Sequence, residues 1–483
     1  MVYYRFGFYI CCMQIPAVLI DSLQEVKGFN VGSFIETHQR GEQITSIRFN
    51  PKKCTSPSNQ QLELVSHPEL LELVPWSSFG YYLPERPSFT FDPLFHAGAY
   101  YVQEASGMFL EQALKQTVDL LQPLRVLDLC AAPGGKSTLI ESLISDKSIL
   151  VSNEVIRSRA SVLEENITKW GAQNVIVTNN DPISFQRLEN YFDVIIIDAP
   201  CSGSGLFRKD PRAIDEWSED NVKLCSHRQQ RILADIYPAL KKDGILIYCT
   251  CSYSEEEDEC IADWLLDTFA VSNLQLTIND NGVKNDWGIV ETISRKHAAF
   301  SYRFFPDKVK GEGFFLSAFR KLYGDHFIYK QPKKLKLERV TKNEDVIVRR
   351  WLKEGQQLQL WKQGDLIFAF PAVLEKELLT VVSADLYIRK AGIAIGSFAG
   401  RELIPDHALA LSEAVNPELV TISLKKDDAL QYLRKEEVKI SSEHKGWALI
   451  QYEGMNLGWV KILPNRANNY YPREWRILKS GNQ

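Results

Sequence analysis

Residues 125–138 read RVLDLCAAPGGKST, and the fold follows from this stretch. RVLDL is a short run of strand formers without polar alternation, the pattern of a strand buried on both faces. It passes through Pro133-Gly134-Gly135 into helical spacing from about Lys136. Outward from it the alternation repeats: ILVSNE (149–154), a helical pattern near 157–170, NVIVTN (174–179), DVIIID (193–198), a helical pattern near 220–240 and GILIYCT (244–250). Strands alternating with helices predict an α/β fold, a doubly wound, Rossmann-like domain with helices on both faces of a parallel sheet. The run YRFFPDKVKGEGFFLSAFRK (302–321) predicts a hairpin that closes this sheet.

On either side the pattern changes. Residues 13–93 mix a helical stretch near 17–38, a strand at 44–49 and a Pro-rich loop at 81–93, which predicts a small α+β lead-in domain before a catalytic domain at 94–321. Residues 322–345 are charged and poor in apolar residues, a linker by composition. From 346 to 483 short strand-like pieces separated by Gly and Asp turns predict one β-rich C-terminal region.

Composition bounds the function classes. With 483 residues, 45% hydrophobic and 24% charged, the chain is long enough for about two to four domains and is not a disordered polymer. Its net charge of -5 divides into +5 for residues 322–483 and -10 for the rest, so a nucleic-acid partner is not excluded by the total. Nine cysteines at irregular spacing predict reduced thiols in a cytoplasmic protein. No apolar run reaches the roughly 18 to 20 residues of a membrane span. The apolar first 20 residues lack the basic start and cleavage site of a signal peptide, and Met13 is an alternative start.

The chemistry gathers at strand ends. Cys130, Ala131, Ala132, Pro133, Gly134, Gly135 and Lys136 form either a cofactor loop, in which glycines bring backbone close to a ligand at a helix N-terminus, or a plain strand-to-helix connection. Glu154, at the end of the next strand and 20 residues beyond Gly134, suits a ribose hydroxyl. Asp181 and Asp198 close two further strands at the same edge, and together these ends favour a nucleoside-bearing cofactor. A P-loop is the rival reading, but Cys130 stands where its first glycine belongs.

Cys201 and Cys251 follow two strands whose ends meet at that edge. Without a CxxC pair or zinc spacing, neither a metal site nor a disulfide redox pair fits, which leaves a nucleophile.

These residues resemble the RsmF/NSUN family of S-adenosylmethionine-dependent RNA cytosine-5 methyltransferases. The resemblance is carried by YYVQEASGM (100–108), CAAPGGKST (130–138), DAPCSGSGLFRKDP (198–211), YCTCSYSEEEDE (248–259) and FFPDKVKGEGFF (304–315). SIRFNP (46–51), VPW (74–76) and the ending LGWVKILPNRANNYYPREWRI (457–477) are similar to the bacterial RsmF branch, with a PUA-like RNA-binding region at the C-terminus and an RNA-binding lead-in. The resemblance implies that residues 130–136 hold S-adenosyl-L-methionine, with Glu154 on the ribose, Asp181 on the adenine and Asp198 between cofactor and base. It implies Cys251 as the nucleophile and Cys201 as the residue that assists release. Two positions depart from the family pattern: Asp307 replaces a histidine, and Cys249 replaces a serine.

The implied reaction is methylation of C5 of a cytidine in structured RNA through a thiolate adduct at C6, since C5 alone is too weak a nucleophile. The implied partner is ribosomal RNA or the small ribosomal subunit, with tRNA as the alternative; a monomer without metal or membrane is expected. Arg208 and Lys209, beyond Cys201, and Arg466 and Arg473, interleaved with Tyr470, Tyr471 and Trp475, are the candidate RNA contacts. The competing reading is a catalytically silent RNA-binding or ribosome-assembly factor, which has no chemical need for both thiols.

Overall fold

The computed structural model describes residues 15–54, 71–278, 287–328, 337–440 and 442–479; the question of Met13 lies outside them. RVLDL forms the strand Arg125–Asp128, in the interior of a ten-stranded sheet. On one side it pairs in parallel with Ile149–Asn153, which pairs in parallel with Val175–Thr178. On the other it pairs in parallel with Phe192–Asp198, which pairs in parallel with Leu240–Thr250. Strand order reverses beside Arg125–Asp128, so the loops after it and after Phe192–Asp198 leave the carboxyl edge at the crevice where open α/β sheets take ligands. Ile149–Asn153 and Val175–Thr178 are buried throughout, which is why their sequences show no alternation.

The hairpin is Phe300–Phe304 and Phe314–Lys321, with Phe314–Lys321 antiparallel to Leu240–Thr250 and Phe315 opposite Thr250. Val290–Ile293 and Val271–Leu274 complete that side. At the other edge Ile388–Ala391, from far beyond the catalytic segment, pairs antiparallel with Val175–Thr178. This pairing covers an edge that would otherwise be open to another chain.

Before the catalytic sheet come two helices, Ala17–Leu23 and Val31–Arg40, and a four-stranded antiparallel sheet ordered Glu72–Leu73, Gly80–Leu83, Thr45–Phe49, Tyr100–Val102. Its last strand lies beyond residue 93, so the expected boundary cuts through the sheet. The Pro-rich run misled because its start belongs to the strand Gly80–Leu83 and its last residue, Pro93, opens the one-turn helix Pro93–His96.

Beyond residue 321 the linker reading is corrected in part. Glu338–Arg339 is a strand, and the helix Lys342–Arg349 starts inside the supposed linker, capped reciprocally by Thr341 and Glu344. The expected single C-terminal region holds two sheets. One is five-stranded and antiparallel, from Glu338–Arg339 to Glu402–Pro405; the other orders Thr421–Ser423, Gly446–Tyr452, Met455–Ile462 and Ala467–Asn469. Among the described residues no helix is long and apolar enough to cross a membrane.

Candidate active site

The loop after Asp128 turns at Gly134, whose φ of 116° suits glycine, and enters the helix Gly135–Leu143. A Cβ on Gly134 would lie 3.3 Å from Leu163 Cδ1 and one on Gly135 3.2 Å from Tyr101 Cε1, so both glycines let the loop pack closely against its neighbours. Arg159 donates to the Ala132 carbonyl at 2.8 Å. Beneath the loop Asp128 accepts from Ser137 Oγ at 2.6 Å, while its other oxygen is buried without a partner; burial pushes its carboxyl up to about 7.

Glu154 is buried at the end of the next strand. Its Oε1 accepts from the Ile156 N–H at 2.9 Å, and its Oε2 lies 3.5 Å from Arg159. Asp181 accepts from the Ile183 N–H at 3.2 Å, 3.7 Å from Arg231, flanking a cavity that reaches its neighbour Pro182. That cavity has a volume of about 740 Å³; Ala131, Gly135, Glu154, Asp198, Cys201 and Cys251 are among the residues around it. Its size, the close-packed glycine loop and the carboxylate at the next strand end fit a nucleoside-bearing cofactor with room for a second ligand.

Asp198 ends its strand and receives Lys136 Nζ at 2.7 Å. Burial works to lower the Lys136 ammonium, but the Asp198 carboxylate outweighs it and holds the charge above the usual lysine range. Cys201 and Cys251 meet with their sulfurs 3.0 Å apart, both half-buried and unbridged. The hydrogen bond to Cys251, with burial, raises the Cys201 thiol well above its ordinary range. Backbone bonds stitch the two loops: Ala199 N–H to Cys249 O and Gly205 N–H to Cys251 O, each 2.8 Å. A Cβ on Gly205 would come within 2.5 Å of the Cys251 oxygen, so only glycine allows this approach.

Cys249 belongs to the hydrophobic core, where burial pushes its thiol far up. Asp307 accepts from Ser33 Oγ at 2.6 Å and so ties the second N-terminal helix to the hairpin. Arg208 departs from its expected role as an RNA contact. Its side chain is buried against Glu312, 3.0 Å from Nε, and donates to Gly311 O at 2.6 Å, so it fastens its own loop to the hairpin. Lys209 is exposed at the cavity rim.

The aromatic ending also differs from expectation. Tyr471 is fully buried, Tyr470 packs on Trp447 with ring centroids 4.4 Å apart, and Trp475 lies against His407 and Lys169. Tyr471 and Trp475 dock the C-terminal sheet onto the rest of the chain, Tyr470 packs within that sheet, and Arg466 and Arg473 remain exposed. Sequence reasoning missed Arg48, which is buried and donates to Thr138 Oγ1 at 2.6 Å, tying the N-terminal sheet to the helix after the glycine loop. It also missed Arg228 and Arg231, exposed at the cavity wall; their three-residue spacing within the helix Glu219–Ile236 was the available signal.

Residues 116–320 match the family described as 16S rRNA methyltransferase RsmB/F, residues 15–105 the N-terminal domain of 16S rRNA methyltransferase RsmF, and residues 419–477 the methyltransferase RsmF PUA domain. The chain is 30% identical over 426 residues to the ribosomal RNA small subunit methyltransferase F of Vibrio atlanticus, covering 84% of this chain and 85% of that protein. To the protein of the same name in Vibrio vulnificus it is 28% identical, covering 95% and 97%. Among solved structures, a methyltransferase homologue from Pyrococcus horikoshii superposes with a TM-score of 0.52 at 27% identity, covering 65% of this chain and 97% of that one.

Proposed function

The chain belongs to the RsmB/F family of 16S rRNA methyltransferases, and from that premise we propose that it methylates C5 of a cytidine in 16S rRNA through a covalent bond between Cys251 and C6. The observation that carries this reading is the thiol pair, 3.0 Å apart beside Asp198 and the glycine loop at one edge of the sheet. A silent binding factor gives no reason to keep two sulfurs in contact in such a cavity.

S-adenosyl-L-methionine supplies an electrophilic methyl group when bound. Residues 130–136 and Glu154 would hold it, and Asp181 would serve its adenine. Asp198, held by Lys136 at 2.7 Å, accepts from the cytosine amino edge and orients the ring. Cys251 gives up its proton to solvent and adds through sulfur to C6, and the electron pair of the C5=C6 bond shifts so that C5 becomes nucleophilic. After methylation the Cys251 sulfur is bonded to C6 and no longer raises the Cys201 thiol, which gives its proton to solvent and takes the C5 proton; the C5–H pair re-forms the double bond, and the C6–S pair returns to Cys251. Because a base in a duplex is out of reach, the target cytidine is unpaired or flipped out.

Lys209, Arg466 and Arg473, all exposed, contact the RNA backbone. The enzyme acts in the cytoplasm as a monomer. The test incubates the purified chain with labelled S-adenosylmethionine and 16S rRNA or small subunits, then digests the RNA to nucleosides. Labelled 5-methylcytidine is expected; label in another nucleoside, or none with either substrate, overturns the reading.

A further inference from the structure

Glu257 ends the one-turn helix Glu255–Glu257, which follows the loop carrying Cys251, and it is fully buried. Its carboxylate bridges the two cysteine loops. Oε1 accepts from the Ser202 backbone N–H at 2.8 Å and from Gln229 Nε2 at 3.2 Å; Oε2 accepts from Ser202 Oγ at 2.5 Å and Ser252 Oγ at 2.7 Å. Ser202 follows Cys201 and Ser252 follows Cys251, so one side chain grips the residue next to each thiol. Gln229 extends the grip by donating to Pro200 O at 3.1 Å, on the other side of Cys201.

A buried carboxylate is a costly way to join two loops. Burial raises the Glu257 carboxyl above its ordinary range, and the Ser202, Ser252 and Gln229 donors work against that rise. Among the described residues no lysine, arginine or histidine is paired with it. An apolar contact would hold the loops at lower cost but would not fix their relative position by directional bonds.

We propose that Glu257 is a positioning residue that sets Cys201 against Cys251 and thereby governs release of the methylated base from the covalent adduct. The proposal rests on the thiol roles given above. C5 and C6 are bonded neighbours, so a sulfur that serves C5 must keep its place relative to the sulfur held on C6. Loops that drift independently lose that relation in the adduct. Addition needs only the Cys251 loop and is less sensitive.

The test uses the full chain with S-adenosylmethionine and 16S rRNA under single-turnover conditions, following covalent protein–RNA complex on denaturing gels. Wild type, Cys201→Ala, Glu257→Gln and Ser252→Ala are compared, with melting temperature and S-adenosylmethionine affinity measured for each. Glu257→Gln is expected to form adduct within about 3-fold of the wild-type rate and to release it about 10-fold more slowly, with cofactor affinity unchanged. Ser252→Ala, the milder variant should Glu257→Gln fold poorly, is expected to slow release about 3-fold. A merely structural role would lower the melting temperature and slow formation and release alike, and that result overturns the proposal. So does wild-type release from both variants while Cys201→Ala holds its adduct. If Cys201→Ala itself leaves no persistent adduct, the thiol roles fail, and the positioning role falls with them.

Discussion

Two regions of the molecule concentrate charged and aromatic residues, and they use them in opposite ways. At the carboxyl edge of the sheet, Asp198 at a strand end, Lys136 in the first turn of a helix, and Cys201 and Cys251 on loops border an open cavity. At the seam joining the N-terminal sheet, the helix Arg157–Trp170 and the C-terminal sheet, similar side chains turn inward. Lys53 Nζ donates to Ala97 O and Lys169 O, each at 2.7 Å, and burial pushes it down to about 7. His407 has both ring nitrogens buried without partners, between Tyr471 and Trp475. The backbones meet so closely there that a Cβ on Gly98 would overlap the Lys169 oxygen. The cleft spends its polar groups on a ligand, whereas the seam spends them on holding domains together.

Substitutions in the two regions therefore separate activity from stability. The largest effect is expected for Cys251→Ala, which lowers methyl transfer by more than about 1,000-fold while changing unfolding free energy by less than about 1 kcal/mol. Denaturant melts beside single-turnover assays check both. Tyr471→Ala does the reverse: it costs about 3 kcal/mol of stability through loss of a buried ring, yet the folded fraction keeps S-adenosylmethionine binding and transfer within about 3-fold. A loss of transfer equal to that of Cys251→Ala would erase the distinction.

Acid sharpens the comparison. Burial lowers His407 to about 3 and His96 to about 4, so both stay neutral in the fold while the unfolded chain takes up protons below about pH 6.5. The unfolded state then binds more protons as pH falls, so this contribution to stability, intact above about pH 6.5, is lost progressively toward pH 4. Replacing His407 by Phe should flatten the fall in melting temperature between pH 7 and 5; an unchanged slope would show that the seam does not exclude the proton. The smallest effects belong to the exposed arginines. Arg466→Ala and Arg473→Ala should each weaken RNA binding modestly and reduce the slope of log affinity against log salt by about 1, without moving the melting temperature.

The cleft was legible because its chemistry is local in sequence. RVLDL, the glycine loop, Glu154 and the two cysteines lie at strand ends, and strands buried on both faces announce themselves. Which surface a side chain faces was not legible where partners come from far along the chain. Arg208 reads as a basic loop residue until Glu312, over a hundred residues later, closes on it. Tyr471 and Trp475 read as stacking platforms, although period and composition are the same for a ring that meets RNA and one that meets His407. Ile388–Ala391 gave no sign that it would join the catalytic sheet, because edge pairing depends on backbone groups common to every residue. Arg48 escaped for a related reason: its partners on the helix Gly135–Leu143 belong to another domain.

The central claim is that the two sulfurs in contact carry out addition and release. Its most direct test compares Cys201→Ala with Cys251→Ala, each mixed with S-adenosylmethionine and 16S rRNA, by isolating covalent complexes under denaturing conditions and mapping the linked residue by mass spectrometry. The account predicts a persistent adduct through Cys251 for Cys201→Ala and none for Cys251→Ala. An adduct through Cys201 in Cys251→Ala, or full methyl transfer by that variant, would contradict it.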